Sequence, residues 1–187
     1  MRPIVLLVTT SRWYPTARLG MALASAGCEV EALCPTGHPI TRTKAVRRTH
    51  VYRGLAPLVS LARAISIAQP DLIVSGDDLA TRHLHLLHAN EKARGNADSP
   101  ICALIERSLG NADSFSVVSA RADFMNAAHE DGIRVPATKA ISNLAELRSW
   151  VGCTGLPIVL KADGTSGGDG VRIARTLAEA EDRKSVV

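Results

Sequence analysis

The segment Lys161 to Val171, KADGTSGGDGV, concentrates residue types that bind phosphate. Four of its eleven residues are glycine. Glycine admits positive φ, so successive backbone N–H groups can turn inward and cradle a phosphate oxygen. Thr165 and Ser166 offer hydroxyls, and Lys161 supplies a fixed positive charge. That lysine ends the apolar run Ile158, Val159, Leu160, where a cation is costly unless its amine meets a partner or ligand. The plain alternative is a hairpin loop with no ligand, since short glycine-rich motifs are common. The loop is not a Walker loop, because GxxxxGK[ST] is absent. GxGxxG is absent too, and the first strand–helix turn, TTSRWYPTARLG, has no glycine before Gly20.

Other constellations are weaker. Asp77 and Asp78 follow the apolar run DLIVS, at a strand's carboxyl end, where α/β sheets place ligands. A substrate role and capping of the helix that starts at Leu79 both fit them. His83, His85 and His88 lack a cysteine or acidic partner, and His83 is turned away from the other two, so no metal site is expected and a partly exposed helix surface is. Arg42, Lys44, Arg47 and Arg48 form the one dense basic cluster, read as an anion site or a solvated loop. Ser11 to Tyr14 follows the first strand and is placed to line a cleft. Ser, His and Asp do not occur with an elbow motif.

The elements that must position these residues alternate. Pro3–Thr9, Cys28–Cys34 and Asp71–Ser75 read as strands, with a short one over Thr49–Tyr52. Helices are expected over Thr16–Ala26, Pro57–Ala68, Leu79–Ala89 and Ile101–Leu109, several stopped by glycine or proline. This is a doubly wound, Rossmann-like α/β domain over residues 1–110. The grammar then changes near Phe115. A helix over Ser119–Glu130 capped by Ser119, a short strand over Thr138–Ile141, a helix capped by Ser142 or Asn143, and two strands around the glycine loop make an α+β unit over 111–181. The 187 residues, charge of +4 and 46% apolar content suit such a globular chain. Aromatics at 3% argue against single-stranded nucleic acid as a partner. No apolar run approaches the roughly 20 residues of a membrane span, Met1-Arg2-Pro3 does not open a signal peptide, and four unpaired-looking cysteines suggest reduced thiols in a cytoplasmic protein.

From Ser119 to Ala174 the order of motifs resembles the first nucleotide-binding lobe of the ATP-grasp superfamily. The carriers are SARADFMNAAHEDG, GIRVP, SNLAELRSW and above all GLPIVLKADGTSGGDGVRIA. The resemblance covers about Asn111 to Ala180 by motif, and the α/β domain before it matches the family's pre-ATP-grasp domain. It implies that Lys161 contacts the α- and β-phosphates of ATP, and that Arg121 stands where the family often has a lysine. It further implies that Gly164, Thr165, Ser166, Gly167, Gly168 and Gly170 close over the β- and γ-phosphates. Arginine for lysine keeps the charge but forks its donors. Most members are ligases that use ATP and Mg²⁺ to activate a carboxylate as an acyl phosphate, which an amine or similar nucleophile then displaces. Their Mg²⁺ ligands and adenine-gripping segment lie later in the chain, so this chain is expected to be an incomplete and inactive part of such a ligase.

The final DRKSVV does not continue the helix before it and matches the translation of a sequencing-library adapter, so residues 182–187 are expected to be non-native. Two other readings stay open: a non-catalytic nucleotide-binding or sensing module, and a glycosyltransferase-like α/β protein.

Overall fold

In a computed structural model, which describes residues 2–162 and 170–182, the strand β1 (Ile4–Val8) lies inside a parallel sheet. Its neighbours are β2 (Glu29–Cys34) and β4 (Leu72–Ser75), and β3 (Val46–Val51) lies outside β2, giving the order β3-β2-β1-β4. Helices α1 (Tyr14–Ser25), α2 (Pro57–Ala68), α3 (Asp78–Ala93) and α4 (Pro100–Leu109) connect or follow these strands.

The apolar run of β1 is continuous because both faces of the sheet are covered. Leu6 and Val8 point into a core with Leu61 and Ile65 of α2, Leu84 of α3 and Ile105 of α4. Leu7 points the other way, to Ala17 of α1 and Ile40. Two covered faces and a parallel sheet are the doubly wound architecture expected from the sequence. Helix α1 begins earlier than its apolar spacing suggests, since Pro15 in the first turn needs no hydrogen-bond donor there. Its Gly20 lies so close to the 3-10 turn Pro39–Arg42 that a Cβ would stand 2.8 Å from Ile40 Cδ1.

Strand β3 starts at Val46, ahead of the expected Thr49, and its early residues have a partner to meet. Glu31 of β2 is wholly buried, although it is an acidic residue. Arg47 donates to Glu31 Oε1 from Nε at 3.2 Å and Nη2 at 2.7 Å, and His50 Nε2 lies 2.7 Å from Oε2. Arg47 also pairs with Glu29.

The chain divides into two compact units, Met1–Phe115 and Ser116–Val187. Helix α5 (Phe115–Ser119) is followed by α6 (Arg121–Glu130), whose N-cap is Ala120 and not the expected Ser119; no side chain caps it. Thr138–Ile141 forms no strand, because among the described residues no strand pairs with it. Asn143 caps α7 (Leu144–Thr154): its Oδ1 accepts from Glu146 N–H at 2.9 Å, while the Glu146 carboxylate accepts from Ser142 N–H at 2.8 Å. Antiparallel strands β5 (Ile158–Lys161) and β6 (Val171–Ala174) follow, then α8 (Leu177–Glu181). Leu147, Ala174 and Ala180 form the buried centre of this α+β unit, with Ile141, Ile158 and Leu160 against them. Among the described residues, no helix is long and apolar enough to cross a membrane.

Candidate functional site

In the β5–β6 hairpin, Ile158 pairs with Ala174, Val159 with Ile173, Leu160 with Arg172 and Lys161 with Val171. Side chains alternate across a strand, so each face of the hairpin collects every second pair. Ile158, Leu160 and Ala174 turn to the core. Val159, Ile173, Lys161 and Val171 form the other, exposed face, with Val159 at 55% and Ile173 at 52% exposure. Lys161 is therefore not an isolated charge within a buried strand, as its four-residue context suggested. It stands in water at the end of an apolar platform.

The hairpin narrows into the glycine loop through one more backbone hydrogen bond, from Ala162 N–H to the Gly170 carbonyl at 2.9 Å. Gly170 has φ of 68°, the left-handed region in which a β-carbon is unfavourable. Gly164, Thr165, Ser166, Gly167 and Gly168 lie outside the described residues. Arg121 is the first residue of α6, in the same unit as Lys161. Of the expected non-native tail, Asp182 forms the C-cap of α8, and residues 183–187 lie outside the described residues.

The platform can receive the flat face of a ring through Val159, Ile173 and Val171, and an anion through Lys161. Sequence reading missed the three apolar members. The alternation of IVLK and VRIA was the available signal, but it becomes a face only once the register of the two strands is known.

In the α/β unit, Asp77 lies past the carboxyl end of β4, next to that of its parallel neighbour β1, where the strand order reverses. It is the N-cap of α3, accepting from Ala80 N–H at 2.8 Å. It also accepts from the hydroxyls of Thr9 at 2.7 Å and Thr10 at 2.8 Å, and from Thr10 N–H at 2.7 Å. Burial pushes the carboxyl pKa up, but these four donors outweigh it and hold the group below the ordinary carboxylate value. Asp78 is exposed in the first turn of α3, where its charge complements the helix N-terminus.

The three histidines of α3 do not converge on one point: His83 stands apart, while His85 and His88 both pack against Phe115. His83 Nδ1 lies 3.2 Å from the Tyr52 hydroxyl. Burial, followed by the nearby Asp77 charge, raises the Tyr52 pKa. His85 stacks on Phe115 with centroids 4.0 Å apart. His88 is buried and pairs with Glu106 at 2.7 Å, in place of the partly exposed surface expected. Among the described residues, no cluster of three or more His, Cys, Asp or Glu is placed to hold a metal ion.

No family model and no curated protein matches the chain. Solved structures do. The biotin carboxylase domain of the Hydrogenobacter thermophilus 2-oxoglutarate carboxylase, solved as a dimer with MgADP, ADP and bicarbonate, is similar over 96% of this chain at a TM-score of 0.61 and 19% identity. The glycinamide-RNase-transformylase T of Mycobacterium tuberculosis is similar over 92% of this chain at a TM-score of 0.52 and 18% identity. The chain spans 39% and 43% of those two chains. At such identities the likeness is one of fold alone, and in this chain that fold is an α/β unit followed by an α+β unit.

Proposed function

We propose that this chain is the ATP-binding part of an ATP-grasp ligase that activates a small carboxylate for attack by an amine or similar nucleophile. The observation that carries this reading is the exposed β5–β6 face, an apolar platform of Val159, Val171 and Ile173 ending in Lys161. A nucleotide needs both parts: a surface for its base and sugar, and a cation for its phosphates. The MgADP bound by the biotin carboxylase neighbour, together with the shared fold, supports the same ligand here.

In this reading Lys161 holds the α- and β-phosphates, Arg121 adds a second cation, and Gly164 to Gly168 with Gly170 cover the β- and γ-phosphates. ATP supplies the phosphoryl group that turns the carboxylate into an acyl phosphate. Lys161 and Arg121 offset the charge on the phosphates as that group leaves. The residues present fit the nucleotide, but the described ones offer no ligand cluster for Mg²⁺. Asp77 acts as a positioning residue, holding the Thr9–Thr10 loop against α3 at the end of the sheet where α/β proteins receive substrates. Asp78, exposed beside it, is the one of the pair free to meet a substrate cation. Bicarbonate in the same neighbour is consistent with a small oxyanion as the activated group.

The test is an amide-resolved NMR titration of the full chain with MgATP. Weak, saturable binding is expected, with shifts at Lys161, Gly170, Val171 and Ile173. Lys161→Met should weaken it about tenfold, the loss of one charge-assisted phosphate contact. Absence of shifts at the hairpin in the millimolar range, or equal binding by the Lys161→Met variant, overturns the proposal.

A further inference from the structure

The basic cluster from Arg42 to Arg48 is not one surface in the folded chain. Arg47 is taken up by Glu29 and Glu31. Arg42 instead ends the 3-10 turn Pro39–Arg42 and lines a groove of about 350 Å³ between that turn and α1. Arg18 of α1 lines the same groove, so each element contributes one guanidinium. Among the described residues, neither guanidinium makes a hydrogen bond or ion pair. No acidic residue lines the groove, and none occurs in α1 or in the turn.

The rest of the lining is Tyr14, Ala17, Met21, Pro39 and Thr43. Ala17 is buried and forms the floor, while Met21 stays 51% and Tyr14 65% exposed. The Thr43 hydroxyl and N–H both donate to the Ile40 carbonyl, so the donors left are the two guanidinium groups and the Tyr14 hydroxyl. Gly20 of α1 approaches Ile40 of the turn so closely that a Cβ would stand 2.8 Å from Ile40 Cδ1, so the two elements that wall the groove are packed on each other. Two like charges facing one cavity repel each other unless an anion lies between them. A groove with cationic walls and an apolar floor matches a molecule that carries both an oxyanion and a hydrocarbon part.

We propose that this groove binds a small organic oxyanion, a carboxylate or a phosphate monoester attached to an apolar group, between Arg18 and Arg42. It lies in the first unit and owes nothing to the nucleotide platform of the second. The chemistry shared by the two candidate head groups is recognition by forked N–H donors.

The experiment is an NMR titration of the labelled full chain with three probes: phenyl phosphate, benzoate and inorganic phosphate. Saturable shifts are expected at Arg18, Met21, Arg42 and Thr43 with phenyl phosphate or benzoate, whichever binds tighter naming the head group. Inorganic phosphate, without an apolar part, should bind more weakly. Arg18→Gln and Arg42→Gln should each weaken binding by about tenfold, and together abolish saturation. Both side chains are exposed, so the remaining amide signals should keep their positions and report an intact fold. Met21→Ser should weaken the organic probes and leave inorganic phosphate unchanged. Unchanged binding in the double arginine variant, non-saturating shifts with every probe, or phenyl phosphate and benzoate both no tighter than inorganic phosphate would overturn the proposal. A failed MgATP titration at the hairpin leaves these outcomes unaffected.

Discussion

Asp77 and Thr10 are joined twice: Oδ2 accepts the Thr10 N–H at 2.7 Å and Oδ1 accepts the Thr10 hydroxyl at 2.8 Å. One carboxylate thereby fastens the loop after β1 to the start of α3, bridging 67 residues of sequence. Asp77→Ala removes a helix cap and leaves the Thr10 N–H without its acceptor. We expect a loss of about 2–3 kcal/mol in chemical denaturation. The pH dependence has a definite sign. The folded pKa lies below the ordinary value, so the contribution is fully present above the unfolded value of about 3.9 and is lost as pH falls through the depressed folded value. Acid unfolding of the wild type should therefore be steeper than that of Asp77→Ala, and equal slopes would refute the assignment.

Glu31 makes a second, independent contribution of the same sign. Burial raises its pKa, but hydrogen bonds and charge from Arg47 and His50 outweigh that and leave it lowered. Its share of stability is present above the unfolded carboxylate pKa and lost as pH falls through the folded one. Glu31→Gln keeps the shape and removes the charge; about 2–3 kcal/mol should be lost at neutral pH, with the gap to wild type closing in acid. A gap that stays constant down to the acid transition would show that the charge is immaterial.

These two carboxylates also mark how far the sequence could be read. Asp77 is separated from an apolar strand by Gly76 alone and stands just before a helix, so capping was one of the two roles its neighbours suggested. Glu31 meets Arg47 and His50 from positions 16 and 19 residues away, and nothing local shows that a parallel strand brings them together. The same distinction explains the second unit. The core stripe of Pro57–Ala68 is one helix face and was legible at once, whereas Lys161 acquires its apolar platform from Val171 and Ile173 across a hairpin. Thr138–Ile141 was read as a strand but has no partner strand among the described residues, and pairing is not a local property. The glycine loop suggested phosphate chemistry because its residue types alone imply backbone donors, independent of any contact.

Two glycines allow the helix–sheet packing of the first unit to be tested by adding one carbon. A Cβ at Gly20 would stand 2.8 Å from Ile40 Cδ1, the flexible end of a side chain. At Gly76 it would stand 2.7 Å from Thr16 Cγ2 and 3.2 Å from the Val8 carbonyl, which is backbone of the central strand. Gly20→Ala should cost about 1 kcal/mol and be relieved by Ile40→Val, whereas Gly76→Ala should cost about 3 kcal/mol and resist rescue by Thr16→Ser. The order of the two unfolding midpoints decides the matter; a reversed order would mean that the strand end yields more easily than the side chain.

The four cysteines should differ sharply in reactivity, because attack requires the thiolate. Cys153 is exposed, Cys28 is partly so, and Cys34 and Cys102 are buried. Burial also pushes the Cys34 thiol up to about 11. At pH 8 that leaves about one molecule in a thousand as thiolate, against roughly a quarter for an unperturbed thiol near 8.5. Access and ionisation therefore act together at Cys34 in β2. With a chromogenic disulfide reagent at pH 8, Cys153 should react first and Cys28 more slowly. Cys34 and Cys102 should react only through opening of the first unit, so low denaturant should speed their labelling steeply. Labelling of Cys34 at a rate that low denaturant does not raise would mean that the sheet admits the reagent from the folded state, and would contradict the two-sided covering of its strands.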